Sequence, residues 1–236
     1  MNIGIFGATG MIGQRVLAEA LSRNHTVTAL THNPTQILRQ QGGVTWKVAD
    51  VLQAESIAAI LPMLDVLVST YGPGPHRNSA GQHPPEAVDE AIRRADTLVT
   101  AARALLKALE SRPSLRLIVV GGAASLEIQP GLQAADSPMM PAVLKQAGLP
   151  EGYTAVIRAH GDALNLYRTS NRNWTYFSPA AVIAPGQRTG RFRLGADQLI
   201  VDEKGQSRIS CEDYAVALVD EIELPRHVQR RFTIGY

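Results

Sequence analysis

The sequence predicts an α/β fold, a doubly wound parallel sheet in three αβα layers, with a small cap region towards the C-terminal end. Three observations carry this reading. Apolar, β-branched runs alternate along the chain with stretches of helical periodicity. The first run, Ile3-Gly4-Ile5-Phe6, passes directly into Gly7-Ala8-Thr9-Gly10-Met11-Ile12-Gly13, and a helical pattern follows. The length of 236 residues and the 45% apolar content suit one such domain over 1–236, with a cap or substrate-side insertion at about 180–210.

The glycine stretch is the most informative part of the chain. A glycine-rich turn between a buried strand and a helix lets backbone N–H groups approach a pyrophosphate. Gly7 suits the tight turn, Gly10 the close approach of phosphates and Gly13 close helix-to-strand packing. Thr9, Met11 and Ile12 complete the candidate contacts in this turn. A glycine pattern alone is a weak signal, but strand before and helix after is the context that a dinucleotide site requires.

The remaining elements follow in order. Ile12, Val16, Leu17, Ala20 and Leu21 recur at helical spacing, and residues 25–30 read as a second strand. Asn33-Pro34 reads as a helix start, with Asn as cap and Pro in the first turn. Residues 44–48 alternate with period two and give a third strand; 54–61 form a short helix ended near Pro62. Residues 65–70 are a fourth strand, followed by a breaker-rich loop from Tyr71 to Pro85. One long helix is expected over roughly 86–110. Residues 115–120 are a fifth strand closed by Gly121-Gly122, and 128–150 wrap over the top of the sheet. A helix over about 153–170 leads to a sixth strand at 174–177. Short strands are expected near Phe192 and at 199–201. Ser210 caps a helix with Asp213 as the acid at its third position, and 231–234 close the chain as a strand.

Composition excludes several classes. The formal net charge of +2, with like charges only in pairs such as Arg93-Arg94 and Arg230-Arg231, gives no nucleic-acid or membrane surface. The single cysteine, Cys211, allows no intrachain disulfide and no cysteine metal cluster, and it suits a reducing cytosol. His76 and His83 lack ligand-type neighbours at metal spacing, so no metal is expected. No leader pattern precedes the first strand and no apolar run is of spanning length. The expectation is a cytoplasmic monomer or homodimer whose partner is a small-molecule acceptor.

Candidate site residues gather at the carboxyl ends of the strands, where open sheets bind ligands. An NAD-selective site places an acid about 20 residues beyond the glycine motif. Here Thr31-His32-Asn33 stands instead, so a 2′-phosphate is not repelled. His32 could donate to it, and Arg39 could reach it if the following helix is short; His32 reads equally well as plain surface, and the reading leans only slightly to NADPH over NADH. Asp50 and Val51 follow the third strand, beside the expected adenine, where a carboxylate can accept from the exocyclic amine. Asp50 reads equally well as a local loop cap. Ser69-Thr70-Tyr71-Gly72 and Gly121-Gly122-Ala123 end the fourth and fifth strands and would flank the nicotinamide.

Acid–base groups are sparse. The Tyr-x-x-x-Lys device, in which the Lys lowers the Tyr pKa, is missing. Tyr153 is followed four places on by Ile157, and Tyr167 by Asn171. This leaves catalysis unassigned, with Ser125, Tyr153 and His160 as the candidates, and disfavours alcohol or sugar chemistry. A sugar-nucleotide epimerase would also need a larger substrate domain than is visible.

With these residues in hand, the chain resembles proteins named as NADH-flavin reductases among the atypical short-chain dehydrogenases, relatives of NmrA-like and biliverdin reductase B-type proteins. The resemblance rests on the glycine stretch and on Val119-Val120-Gly121-Gly122-Ala123-Ala124-Ser125-Leu126. It continues through Trp174-Thr175-Tyr176-Phe177-Ser178-Pro179-Ala180 and Pro185-Gly186-Gln187-Arg188-Thr189-Gly190. It ends with Ile209-Ser210-Cys211-Glu212-Asp213-Tyr214-Ala215 and Arg231-Phe232-Thr233-Ile234-Gly235-Tyr236. It implies a Rossmann-type sheet, NAD(P)H binding, Pro179 and Ala180 near the nicotinamide, and a flavin as hydride acceptor. The chain departs from the family after its second strand, where relatives often carry Arg and His32 stands here. The expected activity is hydride transfer from NAD(P)H to a flavin or a similar planar acceptor such as a quinone. The alternative is a non-catalytic NAD(P)-binding redox sensor of NmrA type.

Overall fold

The computed structural model describes residues 1–33, 35, 43–73 and 84–236. The chain opens with β1 (Asn2–Phe6), α1 (Met11–Ser22), β2 (Thr26–Thr31), β3 (Val44–Val48), α2 (Ala54–Ile60) and β4 (Val66–Ser69). It continues with α3 (Pro85–Arg93), α4 (Thr97–Ala108), β5 (Arg116–Val120), β6 (Glu127–Gln129), β7 (Leu132–Gln133), α5 (Met140–Gln146) and α6 (Thr154–Arg168). The last elements are β8 (Trp174–Ser178), β9 (Val182–Ala184), β10 (Arg193–Gly195), β11 (Arg208–Ser210), α7 (Cys211–Glu223) and β12 (Arg230–Gly235).

The main sheet has the order β10-β12-β8-β5-β4-β1-β2-β3. Every pairing in it is parallel except β10 with β12. From β1 the chain winds outward to β2 and β3, then returns to the other side of β1 as β4. The winding therefore reverses between β1 and β4, and the crevice at their carboxyl ends is where an open α/β sheet binds ligands. The glycine turn sits at that point.

Each face of the sheet is covered by helices. Leu61, Leu67, Leu105, Leu117 and Tyr167 belong to the core beneath α2, α4 and α6. Ile3, Ile5, Val16, Phe177 and Leu218 belong to the other core, beneath α1 and α7. Because both faces are covered, the central strands β1, β4 and β5 read as near-continuous apolar runs rather than alternating. β5 and β8 are buried along their whole length. Tyr214, Phe177 and Phe232 of the second core form one stack with the half-buried His227, with ring centroids 4.1, 3.9 and 4.2 Å apart. Cys211 is buried at the start of α7, and burial pushes its thiol up to about 11.

Four sequence expectations are corrected. The helix expected over 86–110 is two helices, α3 and α4, separated at residues 94–96. Short three-residue-spaced bonds run there, from Thr97 N–H to the Arg94 carbonyl (3.0 Å) and from Leu98 N–H to the Ala95 carbonyl (3.2 Å). The Thr97 hydroxyl also donates to the Arg94 carbonyl (2.6 Å), diverting an acceptor that would continue the helix. Second, residues 199–201 form no strand: Gln198 makes only an isolated bridge with Glu127, while β9 and β11 pair with each other. Third, 128–150 is more than a wrap, because it contains β7 and α5.

The fourth correction concerns Asp213. Ser210 caps α7 as expected, its Oγ accepting from the Asp213 N–H at 2.9 Å. The Asp213 carboxylate does not reach back to complete a capping box. It accepts instead from Thr189 N–H (2.8 Å), Gly190 N–H (2.8 Å), the Thr189 hydroxyl (2.6 Å) and the Tyr236 hydroxyl (2.8 Å). Asn33 Oδ1 accepts from Thr35 N–H (3.0 Å), a cap-like bond; the helix expected after it lies outside the described residues.

Candidate functional site

The glycine turn has the geometry that its residues require. Gly7 has φ +77°, a left-handed conformation that side chains disfavour. A Cβ on Gly13 would lie 2.1 Å from the Gly7 carbonyl oxygen, so only glycine lets α1 come this close to the end of β1. Gly10 begins α1, its own N–H bonded to the Gly7 carbonyl at 2.8 Å. No side chain caps this helix start and its first turn carries no acid. The open N–H groups and the positive end of the helix dipole therefore face the crevice without an internal anion.

Two cavities meet at this helix start. The first, about 290 Å³, is lined by Gly7, Thr9, Gly10, His32, Asp50, Val51, Thr70, Tyr71 and Gly72, all expected from the sequence. Arg94, from the break between α3 and α4, lines it as well and was missed; no motif marks it, and only the tertiary fold brings it here. The second cavity, about 660 Å³, is lined by Met11, Gly122, Ala123, Pro179 and Ala180 among the expected residues. Its further wall comes from α5 and β9, through Val143, Gln146, Val182 and Ile183, none of which the sequence singled out. Gly10 and Met11, adjacent in sequence, thus belong one to each cavity.

Some expected residues serve the scaffold rather than a cavity wall. Ile12 lines neither cavity and packs against the core beneath α1 and α7. Ser69 is buried and faces a small internal void. Gly121 lies under the Tyr176 ring, where an added Cβ would be 1.9 Å from Cε1. Thr70, although at the first cavity, gives its hydroxyl to the Phe6 carbonyl (2.8 Å). Asp50 Oδ1 accepts from the Leu52 N–H at 2.9 Å, the local bond foreseen as the other reading of that residue.

The three catalytic candidates separate. Ser125 is buried, lines neither cavity and donates to the Gly122 carbonyl (3.1 Å). Arg231 holds it from behind through its carbonyl (2.5 Å). Tyr153 and His160 both line the second cavity. Burial holds the Tyr153 hydroxyl above its ordinary value and lowers His160 to about 4, so the imidazole is neutral near pH 7. Tyr176 donates to the His160 carbonyl at 3.0 Å. His76 and His83, like Arg39, lie outside the described residues, and among the described residues no group of side chains could hold a metal. No described helix is long and apolar enough to cross a membrane.

The loop 185–190 follows β9, lines neither cavity, and is clasped against α1 and α7. Gly186 N–H donates to Glu212 Oε2 (2.7 Å), Ser210 Oγ to the Gln187 carbonyl (2.8 Å), and Arg188 pairs with Glu19 on α1 (2.8 Å). With the Asp213 bonds to Thr189 and Gly190, side chains of α1, α7 and the Ser210 cap fix almost every residue of this loop. Hydrogen bonding from Arg188 pulls Glu19 below its ordinary value, against the cost of burial. Burial alone would raise Asp213, yet the Thr189, Gly190 and Tyr236 bonds outweigh it and the carboxyl is lowered.

A dinucleotide fits these features: a tight glycine turn, an uncapped helix start and a cavity on each side of it. Comparison with known proteins agrees. The family model described as NAD(P)H-binding matches residues 7–225. A crystal structure of a Burkholderia pseudomallei protein named as a candidate exported protein is 43% identical, with TM-score 0.79 and 100% of each chain covered. A candidate epimerase from Bacteroides thetaiotaomicron is 35% identical with TM-score 0.79, covering 100% of this chain and 96% of that one. A candidate NADH-flavin reductase from Streptococcus pneumoniae is 26% identical with TM-score 0.77, covering 100% and 99%. From the glycine turn to the end of α7, the chain belongs to the NAD(P)H-binding family.

Proposed function

We propose that the protein is an NAD(P)H-dependent reductase that passes a hydride to a flavin or a similar planar acceptor such as a quinone. The observation that carries the reading is the pair of cavities meeting at Gly10 and Met11. One side has polar and basic groups suited to an adenosine, and the other leaves apolar room for a ring beside the nicotinamide. A redox sensor needs no such second space, which favours the enzyme over the sensor. The Streptococcus pneumoniae relative, named for flavin reduction, supports the same choice.

The chain's part is to hold and to exclude. The α1 start and the glycine turn would take the pyrophosphate on backbone N–H groups. Pro179 and Ala180 would form the floor for the nicotinamide, and α5 and β9 would screen it from water. The bound dinucleotide supplies the hydride itself. The described residues offer no Tyr-x-x-x-Lys pair, and His160 is neutral, so the proton that completes acceptor reduction comes from solvent. That is consistent with flavin or quinone reduction and not with alcohol oxidation.

Within the cofactor choice we favour NADPH. The end of β2 has no carboxylate to repel a 2′-phosphate, and exposed His32 and Arg94 line that cavity. Titration of NADPH and NADH tests this: His32→Asp should shift preference towards NADH, and an unchanged ratio would remove His32 from the argument. For the activity, NADPH oxidation is followed with FMN, FAD, riboflavin and a naphthoquinone. Binding of NADPH with no acceptor above background would end the reductase reading.

A further inference from the structure

We propose that the second cavity selects an uncharged planar ring, a quinone or a flavin without its phosphate, over a phosphorylated flavin. The proposal rests on the reductase reading and deepens it by naming the acceptor class. The cavity of about 660 Å³ lies within the size range of small-molecule sites. Its described lining contains no Lys, Arg, Asp or Glu. Aliphatic side chains dominate, among them Leu149, Val156, Ile157 and Ile183, and the polar side chains are Gln146, Tyr153 and His160. His160 carries no charge near neutral pH.

A flat aromatic ring gains from such walls, whereas a phosphate dianion needs cations or convergent N–H groups to replace its hydration. The N–H cradle at this cleft is the start of α1, which the dinucleotide pyrophosphate would occupy. Lys145, next to Gln146 in sequence, lines an adjoining depression that meets the second cavity at Leu149, and there it has the acids Asp89 and Glu151 beside it. The basic groups His32 and Arg94 belong to the other cavity. Val143 and Val182 line the second cavity yet are 51% and 55% exposed, so an inserted ring would cover apolar surface that now faces water.

Riboflavin and FMN share one ring and differ by a phosphate, so their comparison isolates the charge. Binding is read from quenching of flavin fluorescence on titration with the protein, with and without NADP⁺. Riboflavin is expected to bind at least about tenfold more tightly than FMN, with menadione displacing it. Gln146 is exposed on α5, and Gln146→Arg should raise the ratio of FMN to riboflavin affinity by roughly tenfold. Equal affinities in the unaltered protein, or no binding of either flavin, overturn the proposal. NADPH oxidation measured in parallel keeps the two readings apart. Equal binding with rapid reduction of both flavins sinks the selectivity and spares the reductase. Selective riboflavin binding without any NADPH oxidation spares the selectivity and sinks the reductase.

Discussion

The glycine turn and the loop 185–190 are held by different means. On the glycine-turn side the backbone does the work, through bonds and close approaches between residues near in sequence or on adjacent strands. Loop 185–190 has no sheet pairing of its own and is fixed by the side chains of Glu19, Glu212 and Asp213. Arg188 and Glu19 are 169 positions apart. A local backbone device tolerates little change of shape, whereas a clasp of side chains can be loosened one bond at a time. Substitutions on the two sides should therefore fail in different ways.

The largest expected effect is on the backbone side. Gly13→Val puts a branched side chain into the Gly7 carbonyl, and overpacking of this kind should cost about 3 kcal/mol or more. Thermal unfolding should then fall by at least about 6 °C for a chain of this size. An unchanged midpoint would show that α1 can move away from β1, and the contrast would collapse.

Asp213→Ala should come next. It removes four bonds at a buried carboxylate and should cost about 2–3 kcal/mol. Faster proteolysis within 185–190 is expected, with dinucleotide affinity less affected than stability. The same clasp predicts acid sensitivity. Asp213 sits below its ordinary 3.8 and Glu19 below 4.5 in the folded chain. Their contribution is present above those ordinary values and is lost as pH falls through the lowered folded ones. Denaturant midpoints followed from pH 6 downward should drop in the unaltered protein and drop less steeply in Asp213→Asn. Parallel curves would remove Asp213 from the acid response.

Smaller effects sharpen the picture. Arg188 is more than half exposed, so Arg188→Ala should cost no more than about 1 kcal/mol, and less in high salt. His160, lowered to about 4, should give no titration step in reductase rate between pH 6 and 8. A step there that vanishes in His160→Asn would instead make the imidazole part of the chemistry.

The same division explains what could be read from the sequence. The parallel sheet, the glycine turn and the Ser210 cap depend on spacing within a few residues, and each stands where the pattern put it. Arg94 was missed because it enters the cleft only through the break between α3 and α4. That break rests on a Thr97 side-chain bond that apolar periodicity does not register. The α5 wall was missed because prolines at its start and just beyond its end read as loop. Asp213 was assigned to a cap because Ser and an acid at the third position are a local signal, whereas its partners Thr189, Gly190 and Tyr236 come from distant segments. Ser125 stands beside a glycine pair in sequence, but Arg231, 106 positions away, holds its carbonyl, a contact that local spacing cannot register.

The central claim is that the turn from Gly7 to Gly13 holds the dinucleotide. Gly10→Leu tests it most directly, by calorimetric titration with NADPH alongside circular dichroism to check the fold. The account predicts a folded protein with no measurable NADPH binding. A folded Gly10→Leu protein that binds NADPH with unchanged affinity would contradict it.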